Sequence, residues 1–346
     1  MDDGFKYAPE MPYANNPYTQ SKTTTLLKQL TEHLKSIKKD NSLFFTKDEV
    51  VYIPDIHGDF IHLISTLHRH DLVDKDLNLR KCFQFVFLGD FYDRAPDADV
   101  IDSWLNKQIK NQVSIYRLLG NHEIAFFERD KKGHPTIFPS HDSIKDITNN
   151  FQITENLLKN IASGNILAAY VEANSSIIYV HSYITNNDFA ELDLESNTNI
   201  LVFAQTLNKR LQEHGQKAYE IFLDCKEKNQ FNWGLIIKPF SGDPLFNIYS
   251  TKNDIHTSFL WRRTGSPTLR VFPCELEVDI PNNVYQIVGH TPVFSFNRIK
   301  EQPTNKPFII STNTGTGKIQ FSDVGIGYYY NNNTLERPEV IIGKIK

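Results

Sequence analysis

Five short runs of β-branched and aromatic residues each stop in a cluster of Asp, Gly, His or Asn. They are EVVYIPD (49–55), FQFVFLGD (83–90), VSIYRLLGN (113–121), SSIIYVH (175–181) and YQIVGH (285–290). Each run has the length and composition of a buried strand. Helical stretches such as DADVIDSWLNKQI (97–109) separate several of them. Strands alternating with helices predict a layered α/β fold. In such sheets ligands gather outside the strand ends, which is where this chain concentrates its polar residues.

The remainder divides by texture. Residues 1–20 are polar and aromatic and read as an extended arm. Residues 21–38 read as an amphipathic helix, with Leu26, Leu27, Leu30, Leu34 and Ile37 on one face. The expected organisation is therefore an N-terminal arm and helix over 1–45 and one large domain over 46–346. Within the latter, 186–258 reads as a helical insertion, with a helix over 197–229 and a loop in KPFSGDPLFN (238–247). The C-terminal stretch from FSDVG onward reads as a hairpin around an Asn-rich turn.

Composition excludes several classes. A formal charge of −4 argues against a broad nucleic-acid-binding face. Three scattered cysteines, Cys82, Cys225 and Cys274, fit a reducing, cytoplasmic compartment better than a disulfide framework. They form no C-x-x-C pair, which disfavours a cysteine-based zinc site, and no C-x5-R nucleophile loop. The N-terminus lacks the pattern of a signal peptide, so the sequons at Asn174 and Asn332 are expected to be idle. No apolar stretch approaches the roughly 20 residues that span a bilayer.

The strand ends carry the chemistry. Asp55 and His57 stand two apart, and in an extended segment such residues point to the same side. Asp90 follows a glycine, with Asp93 and Arg94 just beyond; Asn121 and His122 repeat the pattern. His181 and His290 end two further runs. Mixed oxygen and imidazole ligands suit Mn, Fe, Zn or Co better than Ca or Mg. One carboxylate can bridge two ions about 3.5–4 Å apart, a spacing that clamps a phosphoryl group and a water.

In this order DIHGD, GDFYDR, GNHE, a later His and GHT resemble the phosphoprotein phosphatase branch of the calcineurin-like metallophosphoesterases. The resemblance runs in islands from about residue 50 to 325. It implies an α/β fold, a β-sandwich flanked by helices, and two divalent ions, Mn first, with Fe or Zn as alternatives. Asp55 and His57 would hold the first ion, Asp90 would bridge, and Asn121, His181 and His290 would hold the second. His122 would be the general acid, oriented by Asp93. Arg94 would bind phosphate, as would an arginine of FLWRRTG, with Arg263 preferred to Arg262. The chain departs from the family pattern at Pro54, at Ala95 where the family has glycine, and at Ser182 and Tyr183 in place of two glycines. Ala95 is expected to shift the loop carrying Arg94, and Ser182 and Tyr183 to add bulk near the second ion. The texture is similar to divergent bacterial members, including Wip-type secreted effector phosphatases, which would extend the location to a host cytosol.

The implied activity is hydrolysis of a phosphoprotein monoester by a metal-activated water, phosphoserine and phosphothreonine before phosphotyrosine. A diadenosine polyphosphate or nucleotide hydrolase is the alternative within the same chemistry. A metal-bearing scaffold that binds a partner is the non-enzymatic alternative. Singly, each motif has a plainer reading: Asp and Asn end strands because they tolerate turns, and His181 or His290 would be a core histidine. Joint occurrence and order separate the two readings. His256 copies the D-x-H spacing without the following Gly-Asp and reads as structural or exposed. His62, His68, His70, His134 and His141 read as surface or loop residues.

Overall fold

The computed structural model describes residues 26, 30–31, 34–39, 45–92, 94–95, 97–129, 151–247, 258–262, 279–290, 308–311 and 316–323. All five runs form strands, at Val50–Ile53 (β1), Gln84–Phe87 (β2), Ser114–Leu118 (β3), Ile177–Val180 (β6) and Tyr285–Val288 (β7). Four more complete the described set: Ile166–Leu167 (β4), Ala169–Val171 (β5), Phe308–Ser311 (β8) and Lys318–Phe321 (β9). They make two sheets. The first, β1-β2-β3-β4, is parallel throughout. The second, β5-β6-β7-β9-β8, has a parallel centre and antiparallel outer pairs. β1 is buried along its whole length, as expected of a parallel sheet covered on both faces.

Helices return the chain between parallel strands. Phe60–Arg69 (α1) joins β1 to β2, and Ala98–Lys110 (α2) joins β2 to β3. Asp59 caps α1 by accepting from the His62 backbone N–H at 3.1 Å, and Phe60, Leu63, Ile64 and Leu67 bury one face. The short helix Asn121–Ala125 (α3) follows β3 directly. Phe151–Ala162 (α4), Asn186–Glu191 (α5), Ile200–Glu227 (α6) and Trp233–Ser241 (α7) complete the described helices.

The sheets face each other. Register aligns Tyr52, Val86 and Tyr116 across the first, and Tyr170, Tyr179, Ile287 and Gln320 across the second. The Tyr116 and Tyr170 rings stack at 3.9 Å, Tyr170 OH donates to Gln84, and Gln320 Nε2 donates to Tyr52 OH at 2.7 Å. The chain crosses between sheets at Ala168, and Asn208 of α6 holds that corner. Its Oδ1 accepts from the Ala168 and Ala169 N–H groups at 2.7 and 3.0 Å, and its Nδ2 donates to the Ala169 carbonyl at 2.8 Å. A helix of the segment read as an insertion thus secures the joint of the sandwich.

Several expectations change. The loop expected over 238–247 begins as helix, because α7 runs through Pro239 to Ser241 with Ile236, Ile237 and Phe240 buried. Burial of that apolar face outweighs one missing backbone donor. His62 and His68 lie half-buried on α1, and His70 is its buried C-terminal cap, so none is a loop residue. Of the N-terminal helix, Leu30 is fully buried in the common core, with Leu26 and Leu34 packed on it. His134, His141, His256 and residues 324–346 of the expected C-terminal hairpin lie outside the described residues.

Candidate metal centre

Strand ends deliver the ligands to one place. β1 ends at Ile53, and Asp55 and His57 follow; β2 leads to Asp90, β3 to Asn121 and His122, β6 to His181, and β7 to His290. All seven of these side chains are buried. Backbone bonds fix the turns: the His57 N–H donates to the Asp90 carbonyl at 2.8 Å, and the His122 N–H to Asp90 Oδ1 at 3.0 Å. Gly89 makes the meeting of three strand ends possible. At φ +102°, an added Cβ would stand 2.7 Å from the Gly120 nitrogen and 2.8 Å from His181 Nδ1.

Two groups of ligand atoms form, and Asp90 belongs to both: His57, Asp90 and His122 in one, Asp90, His181 and His290 in the other. In the first, Asp90 Oδ2 lies 3.8 Å from His57 Nε2 and 3.6 Å from His122 Nε2, and Asp55 Oδ2 lies 3.9 Å from His57 Nε2. In the second, His181 Nε2 is 3.4 Å from Asp90 Oδ1 and 2.8 Å from Asn121 Oδ1.

These residues fit metal ions. The Leu88 carbonyl, 2.8 Å from His181 Nδ1, makes that nitrogen the donor. Nε2 is then the ring atom that faces Asn121 Oδ1 and Asp90 Oδ1, and in the neutral tautomer its lone pair is aimed where those two oxygens meet. Two ligands about 2.1 Å from one ion stand about 3.0–3.4 Å apart at tetrahedral or octahedral angles, near the separations of the second group. Burial, followed by the charges of Asp55 and Glu123, pushes the Asp90 carboxyl well above the usual range. Burial and the Asp323 charge do the same to Asp55. Burial, then Arg94 and His122, holds the His57 imidazole well below its usual value, which keeps it in the neutral, ligating form. Crowded buried carboxylates beside the neutral His57 imidazole are what a divalent cation relieves.

The arginines divide. Arg94 is half-buried, and its charge acts on Asp55, Asp90 and His57 alike, so it borders the cluster. Arg94 itself takes the left-handed conformation, φ 64°, whereas Ala95 is not among the positive-φ residues and donates its N–H to the His57 carbonyl at 2.9 Å. The strain expected at Ala95 therefore falls on its neighbour. Arg262 is corrected as a phosphate ligand: it is 5% exposed and forks onto Asp188, at 2.5 and 2.9 Å, while also donating to the Tyr183 carbonyl. Ser182 donates to the Arg262 carbonyl, and the Tyr183 ring lies 5.7 Å from its guanidinium. These two departures from the family pattern bind the loop that precedes Arg263. Trp261 of that loop sets its ring edge-on to His290, centroids 6.4 Å apart. Asp93 and Arg263 lie outside the described residues.

Two residues without an assigned role stand out. Glu123 accepts from the Asp90, Phe91 and Gly120 N–H groups at 2.9, 2.7 and 2.7 Å, lashing the turn after β2 to the turn after β3. Its position in GNHE was the signal. Arg117, buried in β3, pairs with Asp102 of α2 at 2.8 Å and lies 4.8 Å from the centroid of the Phe91 ring. A charge inside the strand run SIYRLL was the only sign of it.

Residues 49–294 match the family model described as calcineurin-like phosphoesterase. A zinc-dependent endopolyphosphatase of Saccharomyces cerevisiae is 30% identical over 120 residues, 35% of this chain and 31% of that protein, so the match spans under a third of that relative. Among solved structures, a cold-active protein-tyrosine phosphatase of a psychrophilic Shewanella is similar over 86% of this chain and 76% of its own, at 15% identity and TM-score 0.47. A serine/threonine phosphatase of Saccharomyces cerevisiae is similar over 51% of this chain and 53% of its own, at 13% identity and TM-score 0.28. The family model covers most of the chain, including the strand ends at Asp55, Asp90, Asn121, His181 and His290, and the chain belongs to the calcineurin-like phosphoesterase family.

Proposed function

We propose that the chain is a phosphoprotein phosphatase that hydrolyses phosphoserine and phosphothreonine monoesters in a centre of two divalent ions, Mn first. The observation that carries this reading is the sharing of Asp90 between two ligand groups. Ions held there would supply Lewis acidity to the phosphoryl oxygens and an activated water. Asp55, His57 and Asp90 would hold one ion, and Asp90, Asn121, His181 and His290 the other. His122 is anchored through its N–H on Asp90 Oδ1, with Nε2 turned into the cluster. It would protonate the leaving alkoxide, with Asp93 orienting it. Arg94, and Arg263, which follows Arg262 in sequence, would take the phosphate oxygens. Burial of the cluster excludes bulk water and strengthens each of these contacts.

The test is phosphate release in Mn²⁺ from matched phosphoserine, phosphothreonine and phosphotyrosine peptides, a dinucleoside polyphosphate and long-chain polyphosphate. Release from phosphoserine or phosphothreonine peptides is the expected result. Release confined to phosphotyrosine would move the specificity. Release confined to a phosphoanhydride would make the chain a nucleotide or polyphosphate hydrolase. Bound Mn²⁺ without release from any would leave a metal-bearing scaffold.

A further inference from the structure

The second sheet brings one more carboxylate to the ligand-bearing end. β7 and β9 run parallel with Val288 opposite Phe321, and the pairing continues one residue further, where the Ser322 N–H donates to the Val288 carbonyl at 2.9 Å. The next residue, Asp323, therefore leaves β9 beside Gly289 and His290. It is 1% exposed. Asp55 is seated at this same place: both its oxygens accept from the His290 N–H at 3.1 Å, and the Gly289 position has no room for a methyl because Asp55 Oδ1 occupies it. Asp323 also lies beyond residues 49–294, the part of the chain that the family model matches.

Asp323 is thus a buried carboxylate at the end of β9, beside the turn where Asp55 meets His290. We propose that Asp323 is a further carboxylate of the metal centre, on the Asp55–His57 side, acting on that ion directly or through one of its waters. The inference rests on the two-ion reading above, and it gives this centre one more negative charge than the motif residues supply. A harder, more acidic first site follows, which favours Mn over softer ions there.

The experiment titrates metal-free full-length protein with Mn²⁺ by calorimetry, wild type against Asp323→Asn, and records Tm before and after loading. The variant is expected to bind one of two ions roughly 10–100-fold more weakly, as for other supporting groups of metal sites. The rise in Tm on loading is expected to be smaller in the variant than in the wild type. An unchanged isotherm, or a Tm that falls equally in both states, would overturn the proposal. Should the variant not fold, a wild-type crystal grown in Mn²⁺ decides: Asp323 bonded to an ion or its water supports the proposal, and a carboxylate linked to neither overturns it. Neither measurement uses turnover, so a chain that binds two ions yet releases no phosphate would defeat the phosphatase reading and leave this one standing.

Discussion

Glu123→Gln offers the sharpest test of how Asp90, the residue shared by both ligand groups, is held. One carboxylate oxygen accepts from the Asp90 and Gly120 N–H groups, and the other from Phe91. Glutamine has the same shape but only one accepting end. Whichever way the amide turns, its NH₂ confronts at least one backbone N–H in a fully buried site. A hydrogen bond to a charged group contributes about 1.5–3 kcal/mol, and a buried donor left unpaired costs about 1–3 kcal/mol. An opposing effect is visible: Glu123 is a like-charged neighbour of Asp90, and neutralising it relieves that repulsion. In the metal-free chain the two effects partly cancel, and a net loss of about 1–3 kcal/mol is expected. With ions bound, the Asp90 charge is compensated and the relief disappears, so the loss should be larger. The assay is urea unfolding of wild type and variant, metal-free and saturated with Mn²⁺. Equal losses in the two states, or no loss in either, would refute the role given to Glu123.

Other predictions concern separate parts of the molecule. His122→Ala should retain bound metal and lose most turnover on alkyl phosphates while sparing an activated aryl phosphate; equal loss on both substrates would reject its role as proton donor. Asp188→Ala leaves the Arg262 guanidinium buried without its carboxylate, and should destabilise by about 3–5 kcal/mol, read from the urea midpoint. The double variant Asp188→Ala/Arg262→Met should regain most of that loss, and an unchanged midpoint in the single variant would contradict the pairing. Asp243 gives a pH dependence. Burial raises its carboxyl, but bonds from His214, the Leu245 N–H and Arg210 outweigh that and hold it below the usual range. The clamp it forms on α6 is therefore complete above an unfolded pKa of about 3.9 and lost as pH falls through the folded value. The Tm gap between wild type and Asp243→Asn should shrink across that window; a gap that holds to lower pH would overturn the assignment.

The layered α/β architecture and the candidate ligand positions were readable in the sequence for one physical reason. A buried parallel strand must be a short apolar run, and a ligand at its end must interrupt that run with a turn-tolerant polar residue. Val50–Ile53 and Asp55, or Tyr285–Val288 and His290, carry both signals within a few letters. What was not readable depends on contacts distant in sequence. Arg262 and Arg263 are adjacent arginines, and only the fold shows that the first meets Asp188, seventy-four positions away. Asp323 follows a strand that no motif marks, and its meaning comes from the β7–β9 register. Likewise, Asn208 reads as one polar residue on a long helix until the corner at Ala168 is placed beneath it.

The backbone at the centre shows which part of the molecule organises the site. His57, Asp90, Arg94 and His290 all have positive φ, between 49° and 64°. Such conformations at non-glycine residues cost about 1–3 kcal/mol each and persist only where the surroundings over-determine them. Four together rival the whole net stability of a typical domain, about 5–15 kcal/mol. Here the surroundings are backbone bonds between strand ends. His57 is held by the Asp90 carbonyl and by the Ala95 N–H. Asp90 is held by Glu123, and His290 by Asp55. Each bond joins two different ligand-bearing turns, so no ligand can relax without disturbing another. The sheets thus fix the turns, the turns fix each other, and the ligand atoms converge before any ion is considered. Residues at such a centre are strained and like-charged because the scaffold, with its large common core, can carry that cost.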